Sequence, residues 1–263
     1  MIDIQDIDFS GFADREQNLK KIGRFNSYQP MYYRPSVFFH SQKLFYLLQE
    51  ILAQPSFKGY DQDRILVMAL VHDDAEIVTG DIQAGNKSKM SAGQMKQVNQ
   101  NEETAIEQLA KEFPSTISGY NYKSLLLEIY KKNTLESQLV KYFDRFDALG
   151  ESLHELYGGN PAFAKNTVNE FGTIPLPTDY YVEQFNNYQK NYPLLADFIG
   201  TMSPLKKIFK PVNTQKILQS AAKHTPESLV KLTGNSDYDW WKKVLIARGG
   251  KGIIAELTTQ KES

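Results

Sequence analysis

The chain has 263 residues, about one to two domains by length, with 41% hydrophobic and 23% charged residues and a formal net charge of −1. This composition suits a soluble globular protein, excludes a disordered chain and argues against a dedicated nucleic-acid or membrane-surface binder. Cys is absent, which removes disulfides, thiolate metal sites and cysteine nucleophiles together. The opening MIDIQDIDFSGF is acidic and lacks the basic flank and apolar run of a signal peptide. No window approaches the roughly 20 apolar residues that span a bilayer. The expectation is a cytoplasmic protein with no membrane partner.

The pattern predicts helix almost throughout. From Ser36 to Gln54, Val37, Leu44, Leu48 and Ile51 fall on one helical face after a Pro35-Ser36 start signal. A second helix runs from an Asp61 or Asp63 cap through Ile65, Met68 and Ala69 into Val71. Segments 92–112 and 134–157 repeat the same spacing, and 113–123 reads as a linker or irregular turn. No sustained alternation predicts a strand. The fold class expected is all-α.

Composition shifts near Met202-Ser203-Pro204. Residues 201–263 hold 11 Lys+Arg and 5 Asp+Glu, a net of +6, which leaves −7 on residues 1–200. The expected organisation is therefore a main domain over 1–200 and a basic helical extension over 201–263, packed on it. Trp240 and Trp241 lie in that extension. Gly249-Gly250-Lys251-Gly252 lacks the strand-then-helix context of a phosphate loop and reads as a turn.

Only four histidines occur, His40, His72, His154 and His224. His40 lies three residues after Val37 and four before Leu44, so it points inward with them. His72, followed by Asp73, lies four residues past Met68, again on the buried side. Asp144 lies four residues past Val140. A buried imidazole or carboxylate is costly unless paired or bound to a cation. One divalent metal would satisfy all four, because imidazole nitrogen and carboxylate oxygen are ligands that borderline metals take. A lone inward histidine is more often a hydrogen-bonded core residue, so the inference rests on the combination. Asp147 competes with Asp144 as the last ligand, and spacing from the 158–160 turn and from Leu139-Val140-Lys141 favours Asp144.

A metal-bound water suits hydrolysis, and hydrolysis of an anionic ester would need a cationic clamp and a proton for the leaving group. Arg24 offers a forked, permanently charged clamp. Glu76 lies one helical turn beyond Asp73, near the expected metal without binding it, and Asp81 follows the Gly80 turn. Either carboxylate can handle the proton. Lys87 and Lys89 follow that turn within reach of such an anion.

Three stretches, KIGRFNSYQPMYYRPSVFFH, MALVHDDAEIVTGDI and TLESQLVKYFDRFDAL, resemble the HD-domain metal-dependent phosphohydrolases, and among them the YfbR-like bacterial 5′-deoxynucleotidases. The resemblance covers about residues 20–160, and HDDAEIVTGD is its specific element. It implies an HD-domain helical bundle and His40, His72, Asp73 and Asp144 as metal ligands. It also implies roles for Arg24, Glu76 and Asp81, and Phe25 as an aromatic near the sugar of a deoxynucleotide substrate. The family's Glu-His-Ser run is incomplete, Phe39 preceding His40, and the tail beyond about 200 finds no counterpart. A homodimer is implied; a nucleic-acid partner is not.

The activity expected is removal of the 5′-phosphate from deoxyribonucleoside monophosphates with one Co, Mn, Fe, Ni or Zn ion. No histidine lies between Asp73 and Asp144, which disfavours the two-metal members of the superfamily. A deoxynucleoside triphosphohydrolase or pyrophosphohydrolase on the same scaffold is the alternative. A non-catalytic nucleotide-binding module is the second alternative.

Overall fold

The computed structural model describes residues 1–26, 28, 31, 36–53, 55–196, 207–209, 212–220 and 258–260. Helix starts fall where a short polar side chain can accept from a first-turn N–H. Ser36, Asp61, Ser91 and Asn121 accept from Phe39, Arg64, Gln94 and Ser124 at 3.5, 3.0, 3.3 and 2.8 Å. Each satisfies one of the donors a helix N-terminus leaves orphaned. Gln94 returns a bond to the Ser91 N–H, completing a capping box.

The chain forms two compact units, the first comprising Met1–Arg24, Pro35–Ile82 and Met90–Asp144. Its helices are Arg15–Lys21 (α1), Val37–Leu52 (α2), Gln62–Val71 (α3) and the single turn Glu76–Thr79 (α4). Ala92–Glu112 (α6), Tyr122–Lys131 (α7) and the start of Leu135–Tyr157 (α8) follow; Ala84–Lys87 (α5) belongs to the second unit. These helices match the four sequence-predicted ones to within two residues at either end. Every residue of α3 from Ile65 to Val71 is buried. A helix apolar on all sides occupies the middle of a bundle, and α2 and α7 pack on α3. The fold is all-α, as the spacing predicts.

Residues 113–123 contain a small ladder rather than an irregular turn: Thr116–Ile117 (β1) pairs antiparallel with Tyr120–Asn121 (β2). Ser118 and Gly119 both take positive φ, +48° and +84°, as a two-residue type I′ hairpin requires. Two-residue strands are too short to write a period into a sequence.

Directly after α3, Arg15 reaches across from α1. Its Nε and one terminal nitrogen donate to the Asp74 carboxylate at 2.8 and 2.7 Å, and that nitrogen also donates to the Leu70 carbonyl at 2.6 Å. Tyr122 donates its hydroxyl to the same carboxylate at 2.9 Å. Arg15 is 5% exposed and Asp74 1%, so losing one partner strands a charge in the core. Arg15→Met is expected to destabilise by about 3–5 kcal/mol, read as a fall in the denaturation midpoint. A change below about 1 kcal/mol would mean the pair is solvated.

The second unit comprises Phe25–Arg34, Gln83–Lys89 and Arg145–Ser263. It carries α5, the remainder of α8, the hairpin Thr167–Asn169 (β3) with Gly172–Ile174 (β4), then Pro177–Asn186 (α9) and Tyr188–Asn191 (α10). The α5 glycine Gly85 backs onto Ile174, whose methyl would lie 2.8 Å from an added Cβ. Only glycine fits there without displacement.

The expected boundary near residue 200 lies outside the described residues, as do His224, Trp240, Trp241, Gly249-Gly250-Lys251-Gly252 and the Pro35 start signal. Of the tail, Lys207–Phe209 (β5) pairs with Thr258–Gln260 (β6), and Thr214–Ser220 forms a helix. Among the described residues no helix is long and apolar enough to cross a membrane.

Candidate metal centre and active site

Four elements of the first unit meet at one point. His40 comes from the first turn of α2, His72 from the C-cap of α3, Asp73 from the next position and Asp144 from α8. The α3–α4 turn is fixed by Asp74 N–H donating to the Val71 carbonyl and Glu76 N–H to the Asp73 carbonyl. That turn aims His72 and Asp73 at His40 while Asp74 faces Arg15. The adjacent aspartates therefore have opposite roles.

The four ligand atoms lie within 4.8 Å of one another. His40 Nε2 is 3.2 Å from His72 Nε2 and 3.0 Å from Asp144 Oδ1, and His72 Nε2 is 2.9 Å from Asp73 Oδ2. The longer separations are His40 to Asp73 at 3.7 Å and His72 to Asp144 at 3.9 Å. An ion with bonds of about 2.1 Å has ligand–ligand edges of about 3.0–3.4 Å in octahedral or tetrahedral geometry. The three shortest separations lie within or just below that span, and the 3.7 and 3.9 Å pairs fall between it and the about 4.2 Å that separates opposite octahedral positions.

Proton accounting points the same way. His72 Nδ1 lies 2.7 Å from the Ala69 carbonyl, which can only accept, so Nδ1 carries the proton. In the neutral ring Nε2 then turns a lone pair toward an ionised carboxylate, two acceptors face to face. A positive charge between them resolves the conflict, either a second proton on the ring or a bound cation in its place, and a backbone-anchored imidazole is the usual metal-ligand arrangement.

Two cations rim the quartet. Arg24 has its terminal nitrogens 3.7 Å from Asp73 and 3.8 Å from Asp144. Lys141, one turn before Asp144 on α8, has Nζ 3.0 Å from Asp73 Oδ1 and 3.5 Å from Asp144 Oδ2. Burial alone would raise both aspartates. His72 and Lys141 nevertheless hold Asp73 well below the usual carboxylate range, and Lys141 and the His40 bond do the same for Asp144. Burial disfavours the Lys141 ammonium, but the two carboxylates outweigh it and raise its pKa.

Glu76 behaves in the opposite way. Burial, and then the Asp73 and Asp81 carboxylates, push it well above the ordinary glutamate value, against the pull of Arg24 and Lys141. Its Oε2 is buried without a hydrogen-bond partner among the described residues. A carboxyl so placed keeps its proton where ordinary glutamates have lost theirs. Asp81 follows Gly80, whose φ of +72° turns the chain after α4.

The structure thus gathers His40, His72, Asp73, Asp144, Arg24, Glu76 and Asp81 in one unit. Phe25 and Lys87 belong to the second. There Phe25 is buried against Phe163 and Tyr28, with ring centroids 5.5 and 6.5 Å away. Its φ of +55° is strained for a bulky side chain. Lys87 ends α5 and is half-buried, whereas Lys89 is exposed. Asp144 is the carboxylate that closes the quartet. Sequence reasoning missed Lys141 and the Arg15–Asp74 pair. The available signal for Lys141 was its i,i+3 spacing from an inward aspartate; Asp74 offered none, its partner lying 59 residues away.

The chain matches the family model for 5′-deoxynucleotidase YfbR-like proteins over residues 12–188. No curated protein matches it. Among solved structures it is similar to a conserved hypothetical protein from Pyrococcus furiosus, at 22% identity and a TM-score of 0.44, over 65% of this chain and 92% of that one. The family match spans more than half of the chain and takes in the whole quartet together with Arg24, Glu76 and Asp81. This all-α, HD-type chain belongs to the YfbR-like 5′-deoxynucleotidase family.

Proposed function

We propose that the protein is a metal-dependent phosphomonoesterase that removes the 5′-phosphate from deoxyribonucleoside monophosphates. The observation that carries this reading is the convergence of two imidazoles and two carboxylates, from three helices and one turn, within 4.8 Å. A divalent Mn, Co, Fe, Ni or Zn ion held by His40, His72, Asp73 and Asp144 would acidify a bound water and polarise a phosphoryl oxygen. The scarcity of histidine supports a single ion: none lies between Asp73 and Asp144.

The remaining work falls to the chain's own groups. Arg24 presents two terminal nitrogens at the rim and binds phosphate oxygens as a fork. Protonated Glu76 holds at its carboxyl the proton that a departing 5′-alkoxide needs. Asp81, by its charge, helps keep that proton in place.

A phosphate-release screen across nucleotides and metals tests the reading. Orthophosphate is expected from deoxynucleoside monophosphates, only after metal is restored to stripped protein. Release of pyrophosphate or triphosphate from triphosphates would favour the alternative chemistry. Nucleotide binding without turnover in any metal would make the protein a binding module.

Arg24→Ala is expected to lower kcat/KM on the order of 10- to 100-fold, mainly through KM, the value of one or two charge-assisted hydrogen bonds. Steady-state kinetics check it, and an unchanged KM would remove Arg24 from phosphate binding.

A further inference from the structure

Lys141 meets the two carboxylates of the quartet in a particular way. It lies 3.0 Å from Asp73 Oδ1 and 3.5 Å from Asp144 Oδ2. The oxygens facing the histidines are the other two, Asp73 Oδ2 at 2.9 Å from His72 and Asp144 Oδ1 at 3.0 Å from His40. One ammonium therefore occupies the outer oxygen of each aspartate, and the inner ones face the histidines, with the Arg24 guanidinium farther from them at 3.7 and 3.8 Å. Two ligands on separate elements, α8 and the turn after α3, are tied by a single side chain.

We infer that Lys141 is a positioning residue that holds both Asp73 and Asp144 to one ligating oxygen each, and so keeps coordination positions open for water and a phosphoryl oxygen. The inference rests on the proposed metal-dependent phosphatase reading and deepens it. Carboxylates bind metals through one oxygen or both. Two imidazoles and two one-oxygen carboxylates supply four bonds, leaving room on an ion that accepts five or six. If both carboxylates chelated, the count would reach six from protein alone. Lys suits the task because its compact ammonium offers three donors and bridges two oxygens at once.

The experiment uses the full-length protein, stripped by chelator and reloaded with one equivalent of Co²⁺, whose visible absorption reports coordination number. Inorganic phosphate is then titrated in. Wild-type protein is expected to bind one Co²⁺ and to change its spectrum as phosphate enters. Lys141→Gln is expected to bind Co²⁺ at least as tightly, since a nearby positive charge is gone and the freed oxygens can chelate. Its resting spectrum should already differ from wild type. Its half-maximal response should need at least about tenfold more phosphate, the lower end of what loss of an outer partner costs. Lys141→Met removes the same charge should the glutamine variant fail to fold. Lys141→Arg, which keeps a cation between the carboxylates, should restore most of the phosphate response.

A resting spectrum and phosphate titration superimposable on wild type would overturn the inference. So would weakened Co²⁺ binding in a folded Lys141→Gln protein, because Lys141 would then be holding the ligand set together. Failure of the wild-type protein to bind Co²⁺ is a different result: it overturns the metal reading itself.

Discussion

Asp73→Ala is expected to lose its bound metal and its phosphatase activity together. Asp73 is the most entangled member of the quartet: its Oδ2 is 2.9 Å from His72 and 3.7 Å from His40 and Arg24, and its Oδ1 holds Lys141. Removing it leaves three ligands and tips the local charge from balanced to net positive, with Arg24 and Lys141 facing Asp144 alone. A cation entering such a site meets a repulsion that Asp73 had cancelled. The loss in metal affinity should exceed the roughly 10- to 100-fold typical of an outer-shell partner, and elemental analysis after gel filtration reads it. The apo fold should survive, since Arg15 and Asp74, not Asp73, tie this turn to the core. Full metal content in a folded Asp73→Ala protein would remove Asp73 from the ligand set.

Glu76→Gln is expected to do the reverse, keeping one equivalent of metal while kcat falls by about 10²–10⁴-fold, the usual worth of a positioned acid. Glutamine keeps the shape of Glu76 but has no acidic proton to give. The pH dependence sharpens the test. Burial, then the Asp73 and Asp81 charges, raise the Glu76 carboxyl, so its acid form is present below that raised pKa and is lost as pH rises through it. Wild-type kcat should therefore fall on the alkaline side, and that limb should be missing from the residual activity of Glu76→Gln. Metal loss equal to that of Asp73→Ala would place Glu76 among the ligands. An unchanged kcat would free it from proton transfer.

The two variants separate because neighbouring carboxylates reach opposite states. Asp73 is buried and Glu76, one turn on, is half-buried with its Oε2 enclosed. His72 and Lys141 draw the Asp73 carboxyl down against its burial, whereas burial and then Asp73 and Asp81 push that of Glu76 up. Residue type is the same class in both cases, and surroundings decide the charge.

Helix boundaries were readable because their causes are local. Ser36, Asp61 and Ser91 cap the helices their own neighbours form, and the inward placement of His40, His72 and Asp144 follows from the spacing of adjacent apolar residues. The hairpin at 116–121 escaped because its strands are two residues long. Phe25 is an aromatic next to Arg24 in the sequence, while its packing against Tyr28 and Phe163 belongs to residues up to 138 positions away.

The sequence by itself determined an all-α chain without thiol chemistry, carrying two histidines and two aspartates on inward faces, because period and composition are properties of short stretches. The tertiary structure alone decided that those four atoms share one point, that Lys141 spans the two carboxylates, and that Asp74 turns away from Asp73 to meet Arg15. The physical reason is that metal fit and carboxyl protonation depend on ångström separations and on burial among partners distant in sequence, and neither quantity is written in any local stretch of it.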